Sequence, residues 1–391
     1  MKIYKLFVIF SFAFFFASCS SASVKTNTDR GSQKVFANED TYILYALYAE
    51  QIRDYSSAAT FFKRLYKKSS KKEYLYRYLG DLLVLKNYTK VIAIVDKTTK
   101  GTLEDVSLQR IKIVALSELF RLKEAATLSK KVVEKSKDVK DYLLLSDIYI
   151  KLKKPKMALK YLNTYINSNG CSKKICSKII MLYANINDVE GVLKTYLRLY
   201  SLDKEEDIAK KIVQIYAYKK DFVNMMNFLE NSRSDDESLL ELYANFQKYD
   251  KAYVLAKELY EKSSNMEYLA KSAIYEYESS VNKNDKKMLS KVISTLEKVV
   301  DNEKRPLYLN YLGYIMVDHE VNIKDGMRYI KEALEAEPNS VYYLDSLAWG
   351  YYKMGNCKKA DSIMQSLENR DGADNEEVLL HVNAIHKCLK K

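Results

Sequence analysis

Glycine and proline are scarce in this chain, at 10 and 3 of 391 residues. β-Rich folds draw heavily on both for their turns, so such a fold is disfavoured and long helices with tight connections are expected. Histidine is scarcer still, limited to His319, His381 and His386. On one helix the last two would point about 140° apart, which suits a shared metal poorly even with Cys388 nearby. There is no His-Glu-x-x-His pair, no phosphate-cradling glycine loop and no nucleophile elbow. Acidic pairs such as Glu205-Glu206 and Asp235-Asp236 fall where helices begin, where carboxylates complement the helix dipole. No cofactor, metal or small-molecule substrate is expected, and the chain does not read as an enzyme. Tryptophan occurs once, at Trp349, so 34 tyrosines carry most of the aromatic packing.

What the chain has in excess is positive charge, +13 with a pI near 9.1, alongside 48% hydrophobic residues. Such a balance can serve nucleic acid, an anionic membrane surface or acidic partners. The lysines are spread along the chain, however, and no nucleic-acid motif accompanies short runs such as 66–72 and 151–156. They read as a solvated surface, and nucleic acid is not an expected partner.

The N-terminus carries Lys2 and Lys5, then an apolar run of 12 residues, Leu6 to Ala17. A bilayer-spanning helix needs about 20. Charge, a short apolar run and small residues describe an export signal. Phe16-Ala17-Ser18-Cys19 resembles the bacterial lipobox, with Phe for the usual Leu and Ser for Gly or Ala. The resemblance implies a signal peptide over 1–18 and lipid on Cys19; an ordinary export signal with Cys19 incidental is the other reading. Ser20, where inner-membrane lipoproteins often carry Asp, implies an outer-membrane address facing the periplasm. Residues 19–38 read as a lipidated flexible tether, with a typical coil span of roughly 24 Å.

From residue 39 to 391 apolar positions recur at helical spacing in blocks of about 34. One position is held in turn by Ala46, Gly80, Ile113, Ser146, Ile180, Val213, Leu240, Ala273, Gly313 and Ala348. A Tyr-to-Ala spacing of nine recurs at Tyr149–Ala158 and Tyr243–Ala252. A short interval predicts a clipped second helix at 221–231, and a long one an inserted loop at 281–287. The units Leu344-x2-Leu347-Ala348-x2-Tyr351…Ala360 and Leu312-Gly313…Ala333…Pro338 resemble the tetratricopeptide repeat. The fold class expected is all-α, a tetratricopeptide-repeat superhelical solenoid of about ten helix-turn-helix units plus a C-terminal helix. The best-matching repeats are 139–172, 306–340 and 341–374, with a capping helix at 375–391. One unit cannot bury its apolar face alone, so units stack.

In that family the second, fifth, ninth and twelfth residues of each first helix face a concave groove. Carried onto the last two repeats, they include Asn310, Tyr314, Tyr342, Asp345, Trp349 and Tyr352, with Lys353 adjacent. Aromatic anchors dominate many binding hot spots; packing of Trp349 on a neighbouring helix is the alternative. The Lys and Asn clamp of chaperone-binding repeats is unmatched, since Arg77 and Asp81 stand in those places.

With Cys19 committed to lipid, Cys171, Cys176, Cys357 and Cys388 remain. An exported chain invites two bridges, expected as Cys171–Cys176 and Cys357–Cys388, although other pairings or four free thiols are open. A separation of five residues within one helix would rise about 7.5 Å, beyond disulfide reach, so Cys171 must lie before the helix that holds Cys176. The terminal repeats resemble those of outer-membrane lipoproteins, which implies a membrane-anchored periplasmic scaffold or adaptor for envelope assembly or protease recruitment. It would bind one or more envelope proteins through the concave face. A pilotin-like or barrel-assembly accessory is the alternative, and an envelope enzyme the weaker one.

Overall fold

The computed structural model describes residues 35–367 and 370–390. The expected signal peptide, Cys19 and the tether through residue 34 lie outside the described residues. Among the described residues there are 21 α-helices and no strand. They fall into two units that divide between Tyr165 and Ile166.

The N-terminal unit contains α1 (Glu39–Gln51), α2 (Tyr55–Ser69), α3 (Lys72–Val84), α4 (Tyr88–Thr99), α5 (Val106–Glu118), α6 (Leu122–Ser136) and α7 (Val139–Lys151). The division falls within α8 (Pro155–Asn169). The C-terminal unit continues with α9 (Lys173–Asn185), α10 (Val189–Leu202), α11 (Glu206–Tyr218), α12 (Phe222–Ser232), α13 (Asp236–Asn245) and α14 (Tyr249–Ser263). It ends with α15 (Met266–Ser279), α16 (Lys286–Asn302), α17 (Pro306–Asp318), α18 (Ile323–Ala336), α19 (Val341–Lys353), α20 (Cys357–Gln365) and α21 (Glu376–Leu389). Odd-numbered helices are the first of each pair and even-numbered the second, so ten pairs precede one terminal helix. The fold is all-α, made of helix pairs of tetratricopeptide type.

Helix starts are chemically marked. Asp54, Asp105, Asp188, Asp221 and Asp235 each cap a helix by accepting a backbone N–H from its first turn, which satisfies donors that the helix cannot. Pro306 opens α17, where a missing N–H costs nothing. Turns within pairs are short and alike. Arg53, Lys86, Phe120, Lys153, Asn187, Lys220 and Gln247 each sit mid-turn at φ between 53° and 61°. In each case the next residue's N–H reaches back five residues, as Asp54 does to the Ala49 carbonyl at 2.8 Å. This is a helix-end motif that usually takes glycine; only Gly355 follows that custom, at φ 77°. The chain thus makes do with few glycines by placing mostly polar residues in the left-handed position.

Pairs close through small residues. Ala58, Ala125, Ala158, Ala252 and Ala360, each fourth in its second helix, are fully buried. Each lies nine residues after a buried or half-buried partner position in the first helix, which explains the recurring interval. At the crossing of α17 with α18 the two backbones approach closely. A Cβ added at Gly313 would lie 2.6 Å from the Gly326 carbonyl oxygen, and one at Gly326 would lie 2.8 Å from that of Gly313.

Gly80 requires a correction: it stands one residue outside the small-residue column. Leu79 holds that place, fully buried, and a Cβ on Gly80 would meet nothing within 4 Å. The irregular intervals have visible causes. Helix α12 is clipped to 11 residues, and α13 to 10, whereas Ser280–Asp285 forms an enlarged connection before α16.

Candidate functional site

Within the C-terminal unit, α17, α19 and α21 pack on one another as successive first helices. The expected groove residues fall into two settings there. Trp349 and Asp345 pack against α21, Tyr352 stacks on Trp349, and Lys353 reaches back to the end of α17. The Trp349 ring stacks on His381 at 4.0 Å between centroids and on Tyr352 at 4.6 Å. Its indole N–H donates to Asp318 Oδ1 at 2.8 Å. Lys353 Nζ donates to the Asp318 carbonyl at 2.7 Å and lies 5.3 Å from the Trp349 ring centre. Asp345 is buried, and both its oxygens lie within 3.0 Å of His381 Nδ1. A carboxylate only accepts, so Nδ1 carries the hydrogen. Asp345 is therefore held by the terminal helix and is not a free polar contact.

The second setting is a cleft of ≈ 550 Å³ that takes in Asn310, Tyr314 and Tyr342, with Asp345 at its floor. It is bounded by α15, α17, α19, the connection before α19 and the start of α21. Tyr342 is 55% exposed at its mouth. Tyr314 donates its hydroxyl to Glu377, and Tyr311 to Glu278. Burial, followed by these carboxylates, pushes both phenols well above the ordinary tyrosine range. The Asn310 Oδ1 is buried and receives no hydrogen bond.

One wall is supplied by the enlarged connection. Its Lys283 lies 4.2 Å from the Tyr277 ring centre, donates to the Tyr277 carbonyl, and pairs with Glu278 at 3.3 Å. Behind it, His319 accepts from the Tyr277 hydroxyl at 2.9 Å through Nε2 and donates through Nδ1 to Asn284 at 3.0 Å. Burial lowers the His319 pKa, which keeps the ring neutral in that role.

Sequence reasoning missed Glu278, Lys283, Tyr311, Glu337 and Glu377 as cleft residues. The only available signal was the loop insertion at 281–287, which marks Lys283 as extra chain without saying what it faces.

Cys171 is bridged to Cys176, and Cys357 to Cys388, each with a Cα–Cα separation of 5.9 Å. Gly170–Ser172 is the whole connection before α9, so Cys171 lies outside that helix while Cys176 lies within it. Cys357 opens α20 and Cys388 lies near the end of α21, which ties the terminal helix to the last pair. No described group of three or more His, Cys, Asp or Glu residues is arranged for a metal, and no described helix is long and apolar enough to cross a membrane.

No protein-family model matches the sequence, and no curated protein is recognisably similar to it. Among solved structures, the chain is similar to one of Naa15/Naa10 bound to HypK-THB, at 11% identity and a TM-score of 0.35, covering 90% of this chain and 68% of that one. It is similar to a thermophilic TPR protein of Thermus thermophilus at 16% identity and a TM-score of 0.34, covering 46% and 99%. A third is the APC/C hetero-tetramer Cut9-Hcn1, at 10% identity and a TM-score of 0.36, covering 90% and 84%. Similarity at this level carries no weight for partner or function.

Proposed function

We propose that this protein is a non-catalytic scaffold, anchored to a bacterial outer membrane by lipid on Cys19 and facing the periplasm. It holds a segment of another envelope protein in the cleft of its C-terminal repeats. The observation that carries the binding half is the tyrosine-lined cleft itself. Tyr314 and Tyr342 present broad, rigid surface with a polar tip, the combination that recognition surfaces favour. The anchoring half is supported by the resemblance of residues 16–19 to a lipobox.

A photo-crosslinking residue at Tyr342 tests the binding half in intact cells, with Tyr218, 78% exposed elsewhere in the same unit, as control. A discrete protein adduct from position 342 and none from 218 is expected. Equal capture from both positions, or none from 342, overturns it. Cys19→Ala tests the anchor: lipid labelling should disappear and the chain should leave the membrane fraction or remain unprocessed. Normal processing and membrane flotation of that variant would overturn the anchoring half alone.

A further inference from the structure

We infer that the cleft takes a basic segment, a stretch of a partner protein presenting an arginine or lysine side chain between the tyrosines. The inference rests on the binding reading above and specifies its chemistry. Tyr311 and Tyr314 have spent their hydroxyl hydrogens on Glu278 and Glu377. Lys283 is engaged with Glu278 and the Tyr277 carbonyl. The charged groups that remain are acceptors: Glu337 and Glu377 have no cation paired with them among the described residues, and the buried Asn310 Oδ1 has no donor. A ligand that fits must bring N–H groups and positive charge. A guanidinium or an ammonium does both and donates without accepting.

The cleft already shows the geometry on a small scale. Lys283 sits 4.2 Å from the centre of the Tyr277 ring with Glu278 beside it, a cation held by an aromatic face and a carboxylate. Beyond Lys283, a tyrosine again meets a carboxylate where Tyr314 donates to Glu377 and where Tyr343 hydrogen-bonds Glu337, and neither carboxylate is paired with a cation among the described residues. The setting sharpens the inference, because the chain as a whole carries +13. Long-range repulsion opposes a basic ligand, so one that binds must do so at a local acidic site, and salt should screen both effects.

The test is fluorescence anisotropy with the full mature chain and three labelled nonapeptides of equal length, one arginine-containing and basic, one neutral and one acidic. The basic peptide should bind with saturation and the others should not. The double variant Glu337→Gln/Glu377→Gln should weaken it by roughly tenfold, as loss of two rim charges would, with helical circular dichroism unchanged. Glu206→Gln, on the exposed face of α11 outside the cleft, is the control for net charge and should leave affinity unaltered. Equal weakening by the control, or retained affinity in the double variant, overturns the inference. Spermidine competing as well as the basic peptide would overturn the partner-segment form of it. Binding of the neutral or acidic peptide with crosslinks still arising at position 342 would leave the scaffold reading standing and remove the basic segment. Silence from all peptides together with no crosslink at 342 would remove both.

Discussion

The indole N–H of Trp349 donates to the carboxylate of Asp318 at 2.8 Å, which ties α19 to the end of α17 while the opposite contact, the stack on His381, ties it to α21. The single tryptophan therefore joins three successive first helices. Trp349→Ala should lower stability by about 2–3 kcal/mol, below the range for a fully buried tryptophan because this one is half-buried. Trp349→Phe retains a ring but loses the bond to Asp318 and should cost about 1 kcal/mol. Denaturant midpoints of the two variants check this. An unchanged midpoint in the alanine variant would contradict the packing role.

Two buried acids in the N-terminal unit should act on stability with opposite sign. Burial, reinforced by Glu50, raises Asp81 from 3.8 to about 7, and its Oδ2 has no partner. Between pH 4 and 7 the unfolded chain gives up this proton while the folded one keeps it, so stability declines as pH rises and levels off above 7. Asp81→Asn should remove that slope and raise the midpoint most at pH 8. Glu39, held by Lys71 and Tyr74 at 2.6 Å each, is lowered from 4.5 to about 2. Its contribution is present above pH 4.5 and is lost as pH falls towards 2, so Glu39→Gln should flatten the acid limb only. Thermal midpoints across pH 2–8 separate the two.

At the α17–α18 crossing, Gly313→Ala must displace a backbone carbonyl and should cost about 1–3 kcal/mol through overpacking. Gly80→Ala meets open space and has ordinary helical backbone, so it should be neutral or stabilise by about 1 kcal/mol. If the two substitutions cost the same, the close approach of Gly313 and Gly326 is not what sets that crossing.

Phe120 is 81% exposed at φ 57° in its turn. Replacing it with glycine removes a strained Cβ, worth about 1–2 kcal/mol, against an unfolded-state cost of about 0.5–1 kcal/mol. Phe120→Gly should therefore raise the midpoint slightly. A fall would show that the aromatic ring contributes through contacts its exposure does not suggest.

The Cys357–Cys388 bridge closes the last pair onto α21. Cys388→Ser should cost about 2–4 kcal/mol, and hydrogen exchange should quicken first in α21, including the amide of His381. Quantitative alkylation of all four thiols without reductant would contradict both bridges.

Helix content, the pairing of helices and the position of most crossings were legible in the sequence, because each follows from local chemistry. A small residue recurs where two helices cross closely, and an aspartate caps the start of several helices, so period and many caps are written along the chain. Gly80 shows the edge of that legibility: one residue of phase moves a side chain by about 100°, and only packing reveals that Leu79 holds the place. The cleft was not legible. Glu278, Tyr314, Glu337 and Glu377 come from separate elements up to 99 residues apart, and a charge on a helix surface looks the same in sequence whether it meets water or a tyrosine. The repeat predicts which face Asp345 and Trp349 occupy, but the helix that follows decides whether that face is open. Here α21 covers it: His381 takes up the Asp345 carboxylate and stacks on Trp349, whose N–H goes to Asp318. Local periodicity determines the array; the long-range closure of its last helices decides which of its polar atoms remain to be satisfied from outside.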